Sequence, residues 1–215
     1  MHFLSPNSPL GRWLTFLLDA LLISVAWAVC SLSIITLGAS TAALNVVAHN
    51  WMKDRSDCSL RYFFRGFKDN WKGGTGVWLL LLIPLAFVLF NVNAAFFSEL
   101  ETTSTVMWLA GISAAVWLAV AIYAFALQAV FENAPFRTVM NALRIAVSHF
   151  GTTLILVAIF AAAILATYLL PIGAVFYTPL CVFLTARPIW NVFKKVMAMP
   201  DVTVTGADEF EDEGE

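Results

Sequence analysis

An ionisable side chain inside a long apolar run is where a sequence of this kind could do chemistry, and Asp19 is the clearest instance. It interrupts the run from Trp13 to Ile35. An intramembrane carboxylate could carry a proton or meet a passing solute, and an unpaired one costs ~3 kcal/mol on insertion scales. Its depth argues for a quieter role. Six residues at ~1.5 Å each put it only about 9 Å inside a span that begins at Trp13, where water or a neighbouring helix supplies hydrogen bonds. Structural pairing is therefore favoured over proton or substrate handling. A second constellation follows Gly38, where Thr41, Asn45 and His49 recur at i, i+4 and i+8 and form one polar stripe on a short helix. A partly buried helix at the membrane surface has this pattern. His49 invites a proton-relay or metal reading, but the other histidines are His2 and His149 and no carboxylate stands at ligand spacing. A hydrogen-bonded structural histidine is favoured, and no metal or other cofactor is expected.

The strongest local pattern is RYFFRGFKDNWK, residues 61–72. At ~100° per residue, Arg61, Arg65, Lys68 and Lys72 fall within about 60° of one another, and Phe63, Phe64, Phe67 and Trp71 occupy a neighbouring sector. This predicts an interfacial amphipathic helix. Its aromatic side would sink into the headgroup and acyl boundary while each cation near anionic lipid contributes ~1 kcal/mol. Gly66 weakens the helix slightly. Docking of a cytoplasmic protein is the alternative use of these residues. Nucleic acid is not expected as a partner, because so small a basic patch faces the membrane. No GxSxG elbow, HExxH pair, Walker lysine or pair of intramembrane aspartates occurs, so a non-enzymatic protein is expected.

The elements that must carry these groups follow from composition. Of 215 residues, 60% are hydrophobic and 12% charged, about half the charge of an ordinary soluble domain. A water-soluble enzyme is excluded, and the fold class expected is an all-α polytopic membrane protein. Cys30, Cys58 and Cys181 lie far apart, which fits neither a disulfide framework nor a zinc site. The N-terminus has one basic residue, Arg12, and an apolar stretch too long for a signal h-region, so the first helix is expected to be retained.

A spanning helix needs ~20 largely apolar residues, and five segments qualify: about 13–35, 76–97, 104–131, 152–170 and 172–192. Pro84 is placed to kink the second, the third exceeds a perpendicular crossing and should tilt, and the fifth requires Arg187 to snorkel. Asn91, Asn93 and Gln128 are expected to be interhelical hydrogen-bond partners, and Gly111 with Ala115 makes a small-xxx-small pair. With five spans, 11 of the 12 basic residues fall on one side and Arg12 alone on the other. The positive-inside rule then predicts an N-terminus outside and a C-terminus in the cytoplasm of a multi-pass cell-membrane protein. A sixth span would have to fit between Gly38 and Lys53, a stretch short of the needed length. Residues 1–199 are expected to form one membrane domain with short interfacial cytoplasmic helices. Residues 200–215 hold seven of the fourteen acids and read as a disordered tail, without which the rest carries +5 rather than −2.

Taken together, SLSIITLGASTAAL at 31–44, FFRGFKDNWKGGTGVWLLLL at 63–82, FENAPFRTVMNALRIAVSHFGTTL at 131–154 and VFKK at 192–195 resemble the YesL family of bacterial membrane proteins (domain of unknown function 624). The resemblance covers about residues 5–198, with Ser33 where a proline is usual. It implies an accessory or regulatory role beside carbohydrate ABC-transporter subunits and brings no catalytic residues. A permease subunit itself is disfavoured, since Glu132-Asn133-Ala134 lacks the glycine of an ATPase-docking EAA loop. The expected role is thus a non-enzymatic accessory component held at anionic lipid. The alternative is a small transporter or channel using Asp19 with Thr41, Asn45 and His49.

Overall fold

The computed structural model describes residues 9–54, 60–97, 103–131 and 133–197. Among these the chain is helical throughout, with no strand: α1 Pro9–Ser31, α2 Leu37–Asp54, α3 Leu60–Asp69, α4 Trp71–Phe97, α5 Thr103–Val130, α6 Pro135–Ser148, α7 Phe150–Leu169 and α8 Ala174–Met197, with a 3-10 turn at Pro171–Gly173 before α8. The acidic stretch 200–215, Arg55, Cys58, Glu99 and Glu101 lie outside the described residues.

Among the described residues three helices are long and apolar enough to cross a membrane: the segments Trp71–Asn93 of α4, Thr105–Val130 of α5 and Phe150–Leu169 of α7. These correspond to the second, third and fourth expected spans. Leu18–Ser31 of α1 is a shorter apolar stretch. The fifth expected span lies in α8, which holds Pro179 and Pro188, carries Arg187, Lys194 and Lys195, and runs on to Met197.

The first helix stops at Ser31, short of the expected Ile35. The reason is local hydroxyl chemistry. Thr36 Oγ1 lies 2.5 Å from Cys30 O and 3.0 Å from Ser33 O, and the Ser31 and Ser40 hydroxyls pair at 2.7 Å. Such side-chain bonds offer the backbone an alternative to the helical ladder, and here they turn the chain into α2. That helix is not a surface element. It packs against α1, α3, α4, α5 and α8, and Ala39, Ser40, Ala42, Ala43, Leu44, Val47 and Ala48 are buried. At its start, a Cβ on Gly38 would collide with Gly74 of α4. Only paired glycines permit so close a helix crossing.

The buried side chains form two clusters. One centres on α5, where residues 119–128 are buried on every side, and joins α4, α6, α7 and α8 through Leu81, Ile145, Leu156 and Phe193. The other joins α1, α2, α3 and α8 through Ile23, Leu44, Val47, Phe63 and Phe183. Toward its start α5 is different: Met107, Trp108, Leu109, Ile112 and Val116 are exposed. An apolar face open to its surroundings is the normal state of a helix solvated by acyl chains.

Candidate membrane-surface helices and a central cavity

The basic-aromatic segment does not form one helix over 61–72. It bends at Asn70, whose N–H and side-chain amide both donate to Gly66 O at 3.0 Å, so Trp71 and Lys72 open α4. The basic row survives the bend: Arg61, Arg65, Lys68 and Lys72 are all exposed. Arg65 and Asp69 form an exposed ion pair at 3.8 Å. The aromatic sector divides. Phe63 is fully buried in the α1–α2–α8 cluster and Phe67 is half-buried against it, whereas Phe64 and Trp71 are exposed. Gly66 does more than loosen the helix, since a Cβ there would press on Val46 of α2, and its absence lets α3 lie flat on that helix. The face turned to the protein is therefore Phe63, Gly66 and Phe67, and the row of cations points away from it.

A second helix of this kind went unread in the sequence. Within α6, Thr138, Ala142, Ile145 and Ala146 are buried, while Phe136, Met140, Leu143 and Val147 are exposed. The exposed four recur at i, i+4, i+7 and i+11, which is one face of a helix. Arg137 and Arg144, also exposed, fall about 60–120° from that face at ~100° per residue. Pro135 starts the helix and packs against Gly76 of α4, and Thr138 donates to Gln128 Oε1 of α5 at 3.2 Å. Gln128 is thereby an interhelical partner, whereas the side-chain amide of Asn91 donates within its own helix, to Phe87 O. The spacing of the four apolar residues was a usable signal for α6.

The stripe of Thr41, Asn45 and His49 faces the interior. Thr41 and Asn45 line a cavity of about 210 Å³ at the meeting of α1, α2, α4, α5, α7 and α8. Asn45 and His49 line a smaller one of about 20 Å³ between α2, α5 and α8, the scale of a water molecule. Asn45 and Ile189 belong to both walls. Thr41 donates to Leu37 O at 2.7 Å, and its oxygen receives the Trp27 indole N–H at 3.4 Å. The Asn45 amide donates to Thr41 O at 2.9 Å. The His49 ring meets Trp190 edge-on at 4.5 Å between centroids, and Lys194 lies over that same indole at 5.7 Å. Asp19 is half-buried on α1 and lines neither cavity. The structure thus gathers the stripe and leaves Asp19 apart from it. Among the described residues no group of three His, Cys, Asp or Glu is placed to hold a metal ion.

The cavity walls beyond the stripe include Trp27, Trp78, Trp117, Thr178 and Thr185. These come from α1, α4, α5 and α8, and no local spacing connects them. Compared with known families, residues 20–92 match the model described as "Protein of unknown function, DUF624". The match takes in the stretches 31–44 and 63–82, and the similar stretches downstream lie beyond it. No curated protein and no solved structure matches the chain.

Proposed function

We propose that this chain, whose residues 20–92 match the DUF624 family model, is a non-enzymatic accessory component of the bacterial cell membrane that works beside a carbohydrate uptake transporter. In this reading α1 and α8 join α4, α5 and α7 as spans, five in all, with the N-terminus outside and the C-terminus in the cytoplasm. Helices α3 and α6 then lie at the inner leaflet. The observation that carries the reading is the outward row Arg61, Arg65, Lys68 and Lys72, which leaves four cations exposed beside three membrane-length apolar helices. Such a row attracts anionic headgroups and equally suits an acidic surface on a partner subunit. The association with carbohydrate uptake rests on the YesL resemblance alone. Purification from native membranes in mild detergent tests it: transporter subunits should co-purify, and should be lost when the four cations are replaced by Gln. Recovery of the chain without them would end the accessory reading.

A second reading, a small transporter or channel, is favoured by one observation, the two cavities that share Asn45. Solute flux into liposomes holding the purified protein, reduced by Asn45→Leu, is its expected signature. Because Asp19 lines neither cavity, Asp19→Asn should leave that flux unchanged if the cavities are the route.

A further inference from the structure

Four cations on one exposed row, Arg61, Arg65, Lys68 and Lys72, fall within twelve residues, and Asp69, 3.8 Å from Arg65, offsets one of them. Open rings stand among them. Phe64 is 50% exposed and lies one helical turn from both Arg61 and Lys68, and Trp71 is 45% exposed, its ring edge-on to Phe67 at 5.2 Å. A basic surface with two open rings fits an acidic ligand that carries an aromatic group of its own, which the cations and the rings can both meet. The other exposed cations make no such surface. Arg137 and Arg144 of α6 flank a face of four large apolar residues, and Lys194 lies over Trp190.

The chain itself supplies such a ligand. Residues 208–215, DEFEDEGE, which lie outside the described residues, hold six acids and a single aromatic, Phe210. The fold puts the row within their reach. His49 and Met52, in the last two turns of α2, share the wall of the smaller cavity with Trp190 and Phe193 of α8, and α8 ends at Met197. The end of α8 therefore emerges beside the end of α2, and only residues 55–59 separate α2 from α3. Asp208 is eleven residues beyond Met197, up to about 36 Å of extended chain, while α3 is only about 15 Å long. A segment on a tether of this length has an effective concentration in the millimolar range. That concentration populates a contact made of several exposed ion pairs, each weak alone.

We propose that residues 208–215 dock on this row, with their acids on Arg61, Arg65, Lys68 and Lys72 and Phe210 beside Phe64, and that anionic lipid displaces them. On a neutral leaflet nothing else competes for the cations. A negative leaflet repels the six acids while its headgroups take their place. The segment is thus an internal competitor that makes the row respond to how much anionic lipid surrounds it. The inference goes beyond the accessory reading and needs no partner subunit, since it is tested on the isolated chain and co-purification can succeed or fail whatever that test returns.

The full chain, carrying p-benzoylphenylalanine in place of Phe210, is irradiated in nanodiscs that hold a single copy. In phosphatidylcholine at low salt, cross-links should map to residues 61–72 of the same chain. They should fall to background when Arg61, Arg65, Lys68 and Lys72 are replaced by Gln, and in 1 M salt, where the screening length is ~3 Å. Phosphatidylserine in place of most of the phosphatidylcholine should do the same. The four cations are exposed, so Gln in their place leaves the packed core intact. A second measurement needs no cross-linker. Changing all six acids to their amides, from Asp208→Asn to Glu215→Gln, should raise enrichment of labelled phosphatidylserine around the protein about twofold, the change expected when a millimolar effective concentration keeps the row covered about half of the time. In the Gln variant the same change should have no effect. Cross-links to α6, to α8 or to lipid alone, a yield that survives loss of the four cations, or unchanged phosphatidylserine enrichment would each overturn the proposal.

Discussion

Helices α3 and α6 have similar ingredients, a short length, several large apolar residues and a few cations, and they use them in opposite ways. In α3 two of the aromatic residues, Phe63 and Phe67, turn inward onto α2, and the cations point straight away from the protein. In α6 the residues turned inward are small or β-branched, Thr138, Ala142, Ile145 and Ala146, and four large apolar side chains point outward with the cations on their flank. An amphipathic pattern states that one face avoids water. It does not state whether protein or lipid covers that face. In α3 the answer comes from Gly66, which lets the helix close on Val46. In α6 it comes from Pro135 and Thr138, which fasten the other side of the helix to Gly76 and Gln128.

The largest effect should come from breaking the inward face of α3. Phe63 is fully buried, and Phe→Ala in a packed core costs about 3–5 kcal/mol. Phe64, next to it and half exposed, should cost less than about 1 kcal/mol on the same change. Unfolding in mixed micelles titrated with denaturing detergent measures both. If the two variants unfold alike, the protein-facing assignment of Phe63 is wrong.

The outward face of α6 comes next. Replacing Phe136 or Val147 by Asp removes an apolar contact that contributes roughly 1.5–3 kcal/mol when fully withdrawn from water and adds a carboxylate in its place. A fluorophore attached at Met140→Cys should be quenched by spin-labelled lipid, and less so in the Phe136→Asp background. The same fluorophore at Lys68→Cys of α3 should stay near the aqueous phase. Equal quenching at the two positions would erase the contrast between the helices.

These particulars show what the sequence made legible. Three apolar runs were long enough to identify on their own, and α4, α5 and α7 appear where hydropathy put them. The end of α1 was not legible from hydropathy, because SLSIIT is apolar enough to continue a span and only the contacts of Thr36 with Cys30 and Ser33 reveal the turn. The burial of α2 was hidden for a related reason. Its alanines read as a weak face until Gly38 is seen to meet Gly74, a contact 36 positions apart in the chain. The polar stripe was legible as a stripe, whereas the cavity it lines was not, since Trp78, Trp117 and Thr185 are joined only by the packing of separate helices.

A smaller effect belongs to the outward row of α3. Changing Arg61, Arg65, Lys68 and Lys72 together to Gln should lower enrichment of anionic lipid around the protein by ~1 kcal/mol for each cation that lies near the surface. Added salt should reduce the difference, because the screening length shrinks to ~3 Å at 1 M. Energy transfer from the tryptophans to labelled phosphatidylserine measures it. A salt-independent difference would point to packing rather than charge.

The smallest effect concerns Asp69, and it separates the two properties that α3 combines. Its carboxylate sits 3.8 Å from Arg65 with both side chains more than half exposed, a geometry that contributes less than about 0.5 kcal/mol to stability. Asp69→Asn should therefore leave unfolding unchanged within error. The same substitution removes the one acid beside the four cations in α3 and the first turn of α4, so enrichment of anionic lipid should rise slightly at low salt. If α3 is held chiefly by Phe63 and Phe67, stability and lipid enrichment respond to different residues, and Asp69→Asn changes only the second. If the cations held the helix in place, the two would move together.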